Sequence, residues 1–436
     1  SVSRGLGDVY KRQACRTKQG LSKASLEHYL KVCGKQFSKL LSSQQVQAEA
    51  DRVWCGVERC LFGNGKELHF KKLMDFDTIG GKSNKNGARF DLDAMHVNWL
   101  GLSLKCYLPK SENSLSYVWE SLKGKISYCN IKRLMFSSGW RYYAEIVVNG
   151  DALTRVLIGT STMGIDPGVS TIAGVSEDAC VLEELAPNAI QYEKKIQKIS
   201  QSMDRSRRIS NPNKYNEDGT INRSNRDPWK YSKNYVKMCR LLKSLYRKKH
   251  AYIVDSHRKL CNKLITIAKY FPVEKMHFQA LQKRAKETKR QEKKTEVKQK
   301  DGTVKVIQKY KRKKRFGRSI NRRAPARFLL ELKRKAEAVG GVYAEVDTKE
   351  FKASQYNHVT DTYEKIPLSQ REKEIGKRKV QRDLYSAFLI RNADLDFKHP
   401  DREKCEYEFE DFANLQDQLI LKMKESGLSM RQCFGF

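Results

Sequence analysis

The chain predicts a multidomain protein mixing α+β and α/β organisation: a mixed β and helical module over residues 14–155, a strand-and-helix domain over 156–400 and a helical tail over 401–436. Three observations carry this. At about 150 residues per domain, 436 residues suggest two or three domains. With 39% hydrophobic residues and 10% aromatics there is enough apolar matter for real cores. The hydrophobic pattern also changes rhythm beyond Gly80-Gly81 and again at Val156.

Residues 3–13, SRGLGDVYKRQ, fit no secondary-structure pattern and resemble the in-frame translation of a sequencing-library adapter, so 1–13 are set aside as an artefact. On that reading the natural chain begins upstream and this copy has lost its N-terminus. Leu26, Tyr29, Leu30, Cys33, Phe37, Leu40 and Leu41 recur at three and four, one helical stripe. Val46, Ala50, Val53, Trp54, Val57 and Leu61 make a second after Ser42-Ser43, which predicts a helical hairpin over about 22–62. Segments 97–104 and 140–148, β-branched and aromatic between Pro, Ser, Asn and Gly, predict antiparallel strands within about 66–155.

From Val156, apolar runs at 156–159 and 162–165 lead into Asp166-Pro167-Gly168 and then 171–175, read as strand, turn and strand. A helical insertion over about 190–270 is broken by Asn-Pro, Asp-Gly and Asp-Pro within 211–228, and Met238, Leu241, Leu242 and Leu245 give it an apolar face. Segment 282–315 is mostly Lys, Arg, Gln, Glu and Thr; too poor in apolar residues to bury a core, it is expected to be mobile or ordered only on a partner. A helix near 328–339, a strand near 342–346, a loop-rich stretch over about 350–382 and a helix opening near Asp383 follow. No internal repeat is found.

Lys plus Arg number 86 against 50 Asp plus Glu, a formal net charge of +36. Self-repulsion on that scale excludes an ordinary neutral enzyme and calls for a polyanion, of which phosphate backbone is the commonest. No run of about 18 apolar residues exists and no signal peptide opens the chain, so a soluble intracellular protein with no membrane partner is expected. Eleven Cys, an odd number without any CxxC, fit reduced thiols better than a disulfide framework.

Three acids each end or open an element. Asp166 closes a strand against Pro167-Gly168, on the face opposite Met163 and Ile165. Glu274 closes 271–273 after a helix striped by Cys261, Leu264, Ile265 and Ala268, and Asp383 opens the helix of Leu384, Ala387 and Phe388, where the dipole favours a carboxylate. Singly, each has a plainer reading as turn acid, solvated charge or cap. Together, in so basic a chain, they suit divalent cations held against a phosphodiester, because two metals activate water and stabilise the leaving oxygen. Magnesium takes hard oxygen ligands and needs no His or Cys.

Here the residues carry a resemblance. GIDPGVSTIAGVS, then PVEKM, then VQRDLYSAFLI, with SKNYVK in the basic helical region between the first two, resemble the RuvC-type nuclease of the TnpB family, encoded by insertion sequences and related to type V CRISPR effectors; the likeness covers about 140–392. It implies a ribonuclease-H-like C-terminal nuclease domain and an N-terminal wedge and recognition module that holds a guide RNA from the element's own locus and reads a short motif beside the DNA target. By the same resemblance Asp166, Glu274 and Asp383 are the catalytic, metal-binding acids, with Mg2+ or Mn2+ as cofactor, in the prokaryotic cytoplasm or nucleoid.

The family's four-cysteine zinc ribbon is missing: 350–382 contain no Cys, so the insert is read as degenerate and no zinc is expected. Cys55 and Cys60, as C-x4-C inside a helix, read as core packing rather than metal ligands. His277 and His358 read as structural or exposed. Lys230, Lys233 and Lys237 in the basic region, and Arg371 and Arg382 beside the third acid, are expected to bind nucleic acid. Trp229, Tyr231 and Tyr235 suit stacking or, more simply, packing, while sequence choice passes to guide pairing. The reading is thus an RNA-guided DNA endonuclease with guide RNA and target DNA as partners. Its rivals are a guided DNA-binding repressor that does not cut and a miniature type V effector, which differs only in genomic context.

Overall fold

The computed structural model describes residues 17–282, 290–298, 304–310 and 316–428, apart from positions 64, 66, 70, 72–74, 152 and 368. Segment 1–13 lies outside the described residues. The chain divides into two compact units, Ser1–Leu153 with Val236–Ser244, and Thr154–Tyr235 with Leu245–Phe436. The first unit thus takes in nine residues that the sequence reading left in the second.

In the first unit, helices α1 (Lys23–Gly34) and α2 (Ser43–Leu61) each start at a capping box, Ser22 with Ser25 and Ser42 with Gln45. α2 buries Gln45, Ala50, Trp54 and Val57. Cys55 is exposed and Cys60 half-buried, correcting their reading as core residues: the buried stripe runs through 50, 54 and 57 and leaves both thiols off it. Next come β1 (Thr78–Ile79), β2 (Arg89–Asp91), β3 (His96–Trp99), β4 (Leu102–Lys105), α3 (Glu112–Leu122), β5 (Lys125–Phe136) and β6 (Gly139–Asn149). They form antiparallel sheets β1-β5-β6 and β2-β3-β4 around Ala88, Phe90, Val97, Leu122 and Cys129. The single strand expected at 97–104 is a hairpin, turned at Leu100 and Gly101 with φ of 48° and 78°. A leucine there hides the turn, because positive φ is normally announced by Asn, Asp or Gly.

The second unit opens with β7 (Ser161–Thr162), β8 (Gly164–Pro167), β9 (Thr171–Val175) and β10 (Cys180–Glu184). Residues 156–159 form no strand, contrary to expectation; Gly159 N instead donates to the Ile265 carbonyl at 2.8 Å. Helices α4 (Ala189–Ser210) and α5 (Lys233–Ile267) lead to β11 (Ala268–Glu274) and α6 (Phe278–Gln282). Within the segment expected to be mobile, β12 (Arg290–Lys298) and β13 (Val304–Tyr310) pair antiparallel with each other. Thr295 and Val297 in the first strand and Val304, Val306 and Ile307 in the second are the β-branched residues that a reading by polarity passed over. Then come α7 (Gly317–Arg323), α8 (Pro325–Ala338), β14 (Val342–Val346), α9 (Thr348–Phe351), β15 (Tyr356–Asn357), β16 (Thr362–Tyr363), β17 (Glu372–Ile375), β18 (Arg378–Gln381), α10 (Arg382–Arg391) and α11 (Arg402–Glu425).

The main sheet runs β10-β9-β8-β11-β14, with β7 also on β11. β8, β9 and β10 alternate antiparallel, whereas β8, β11 and β14 are parallel. One face packs Ala173, Val175 and Val346 against Phe388, Phe409 and Phe412 of α10 and α11. The other packs Met163, Ile165 and Ile172 against Leu260, Leu264 and Ile265 of α5 and Phe328 and Leu332 of α8. Helices on both faces of a mixed sheet make a three-layer α/β domain.

Candidate active site

At β8 the topology reverses: the chain leaves by a hairpin to β9 on one side and meets β11 on the other. In open sheets such a switch point opens a crevice at the carboxyl ends of the strands. Ile165 pairs with Val273, so one residue further on Asp166 of β8 stands beside Glu274, the last residue of β11. Met163 and Ile165 are fully buried on the α5 side, which turns Gly164 and Asp166 towards α10. A Cβ at Gly164 would lie 2.1 Å from the Ala387 carbonyl oxygen and 2.3 Å from Arg391 N, so the helix rests directly on the strand. One helical turn back from Ala387 is Asp383 and two strand residues on from Gly164 is Asp166, steps of about 6 Å and 6.6 Å that keep pace. All three acids line one cavity of about 1370 Å3.

Burial drives the Asp166 carboxyl well above the usual carboxylate range, and the charges of Glu274 and Asp383 push the same way. Glu274 is raised too, first by burial, while hydrogen bonds with Asp166 and Thr348 and the Arg382 charge pull it back. Both carboxyls are thus pushed upward, first by burial, Asp166 the more strongly. Asp383 Oδ2 lies 3.6 Å from Arg371 Nη1 and accepts from Gln381 Nε2 at 3.3 Å. The cap of α10 is Gln381, whose Oε1 accepts from Leu384 N at 2.5 Å; Asp383 is the second residue of the helix rather than its opener.

Among the described residues no three His, Cys, Asp or Glu side chains converge closely enough to hold a metal ion. In kind, though, the donors fit a hard divalent cation: two carboxylates side by side, with a third on the same cavity, are oxygen donors whose mutual repulsion Mg2+ or Mn2+ would relieve.

The chain is similar to two solved Cas12f complexes. One is a Cas12f1-sgRNA-target DNA complex, at 13% identity and a TM-score of 0.49, over 89% of this chain and 79% of that one. The other is a CRISPR-Cas12f ternary complex, at 13% identity and a TM-score of 0.30, over 89% and 80%. No family model and no curated protein matches the sequence.

Of the other expected site residues, Arg371 and Arg382 line the acid cavity, and Lys365, Lys373 and Lys379, which the sequence reading missed, join them in its wall. Lys373 is buried, donates to the Tyr356 carbonyl at 2.5 Å, and is pushed by burial down to about 8. The alternation of β17, exposed Glu372 and Glu374 against buried Lys373 and Ile375, is its only signal in the sequence. Lys230, Lys233 and Lys237 are exposed and do not line this cavity; Lys233 and Lys237, four apart on α5, share a face. Trp229 takes Arg207 and Lys214 over its ring, each at 5.5 Å, and Tyr231 stacks on Tyr235 at 4.6 Å, so these aromatics pack locally. His277 is exposed; His358 is buried, its Nδ1 2.8 Å from the Tyr385 hydroxyl.

Proposed function

We propose that the chain is an RNA-guided DNA endonuclease of the TnpB type, encoded by a transposable element, that hydrolyses phosphodiester bonds at a single RuvC-type site. The observation that carries this is the side-by-side placing of Asp166 and Glu274 at the carboxyl ends of adjacent parallel strands, with Asp383 lining the same cavity. Three antiparallel strands extended by two parallel ones, with helices on both faces, agree with the ribonuclease-H-like fold the resemblance implies. Asp166, Glu274 and Asp383 would hold Mg2+ or Mn2+. When bound, such ions supply Lewis acidity to the phosphate and a nucleophile from water at neutral pH.

This chain's own residues do the rest. Arg382, Lys365 and Lys379, which line the cavity with the acids, would meet the phosphates of the entering strand. α10, locked onto Gly164, keeps Asp383 in reach of the pair. The +36 charge, with Lys230, Lys233 and Lys237 on the surface, serves guide RNA and target DNA. No described helix is long and apolar enough to cross a membrane, in keeping with a cytoplasmic or nucleoid site of action.

Protein purified after expression with its native flanking DNA is expected to carry RNA and to cut DNA matching that RNA with Mg2+, to stop with EDTA, and to bind without cutting as Asp166→Ala. The engagement of Asp383 by Arg371 favours one other reading, a guided binder that never cuts. Target occupancy by the wild type without nicking would select it, and cutting by Asp166→Ala would discard the proposed site.

A further inference from the structure

Three carboxylates line one cavity, yet among the described residues no three side chains converge on one metal position, and Asp383 is paired with Arg371. We infer that Arg371 is a latch on the metal site, keeping Asp383 off the Asp166–Glu274 pair until a phosphate of the DNA strand takes its guanidinium, so that strand and divalent cation bind cooperatively. The inference rests on the proposed function and adds to it a coupling between strand and metal.

The latch is built to move at one end only. Arg382 N donates to the Arg371 carbonyl at 2.9 Å, extending by one step the ladder in which Glu372 pairs with Gln381. That fixes the Arg371 backbone opposite the first residue of α10. The guanidinium reaches back to Asp383 across 3.6 Å, and the two side chains keep 40% and 22% of their exposure, so solvent screens the pair. Ion pairs of that kind are among the weakest contacts a protein makes. A phosphodiester offers the same guanidinium two oxygens in a fork that matches its donors, a stronger partner than one carboxylate oxygen at long range.

The second hold on Asp383 does not move with the strand. Gln381 is buried, its backbone N donates to Gln416 Oε1 at 2.7 Å, and its own Oε1 caps Leu384 N at 2.5 Å. Its Nε2 thus stays beside Asp383 in either state and steers the carboxylate without neutralising it. Once Arg371 has left, the Asp383 charge faces Asp166 and Glu274 with the Arg382 charge to offset it in part, and a divalent ion relieves the repulsion that remains. Linkage then runs both ways: the factor by which the strand tightens metal binding is the factor by which metal tightens the strand.

Free Mn2+, followed by electron paramagnetic resonance during titration of the full chain, reads this without cleavage. A phosphorothioate DNA strand is expected to tighten Mn2+ binding to the wild type by roughly fivefold or more, the lower end of ordinary couplings, and an uncharged methylphosphonate strand to leave it unmoved. Arg371→Gln is expected to bind Mn2+ without any strand more tightly than the strand-free wild type, and to gain less from the strand than the wild type does, keeping only what direct contact of phosphate with the ion supplies. An Arg371→Gln that matches the strand-free wild type, or gains as much from the strand as the wild type, overturns the latch. Asp166→Ala separates the two readings: if it loses Mn2+ while Arg371→Gln is unchanged, only the latch fails; if it binds Mn2+ like the wild type, the site itself fails and takes the latch with it.

Discussion

Gly164 fixes the reach of the site more than any acid does. With a side chain at 164, α10 could not lie where its Ala387 carbonyl sits, 2.1 Å from the position of a Cβ, and Asp383 would be carried away from Asp166. The clashing atoms are helix backbone, which cannot swing aside as a flexible side chain would. Gly164→Ala is therefore expected to cost about 1–3 kcal/mol of stability, the range for overpacking a tight core. Urea unfolding would show this as a lower midpoint at an unchanged slope; an unaltered midpoint would mean that helix and strand are further apart than described. The acids were legible because each stands at the end of a run with a readable period. Gly164 was not, because a glycine before Ile165 and Asp166 reads as part of a loose strand until a helix is known to cross it.

At the scale of elements, two histidines report how tightly the helices close on the sheet. His257 on α5 lies against the Arg323 carbonyl at 2.8 Å and edge-on to Phe328, and His358 sits between Tyr385, Phe388 and Phe409. Burial pushes both down from the ordinary 6.5 to about 4. Between those values the unfolded chain binds protons that the folded chain does not. Stability is therefore full above pH 6.5 and lost as the pH falls towards 4, by at most about 3 kcal/mol for each histidine. Thermal unfolding between pH 7 and pH 4.5 should show a falling midpoint, shallower when His358→Phe removes one of the two; a flat profile would mean that neither ring is sealed. The apolar stripes of α2 and α8 and the β-branched run of β14 were readable because one face of each meets a core. The 97–104 hairpin escaped because Leu100 takes a turn conformation beside Gly101 where a leucine does not announce one, and β12 and β13 because their β-branched residues are scattered among Lys, Arg, Gln and Glu.

Across the whole molecule, a charge of +36 states what kind of partner is needed but not where it binds. The acid cavity is a product of the second unit's topology: β8 and β11 meet in parallel only after α4 and α5 have intervened, and α10 arrives only after three more hairpins and the α7–α8 helix pair. Sequence spacing cannot convey that the three acids share one cavity, nor that Lys365, Lys373 and Lys379 line it with them. The central claim is that Asp166, Glu274 and Asp383 together hold a divalent ion when a strand is present. The most direct measurement is the anomalous scattering of Mn2+ in crystals of the full chain bound to nucleic acid. The account predicts a peak within coordinating distance of the Asp166 and Glu274 carboxylates, with Asp383 turned towards it and Arg371 on a phosphate. A strand in the cavity with no peak there, or with Asp383 still paired to Arg371, would contradict it.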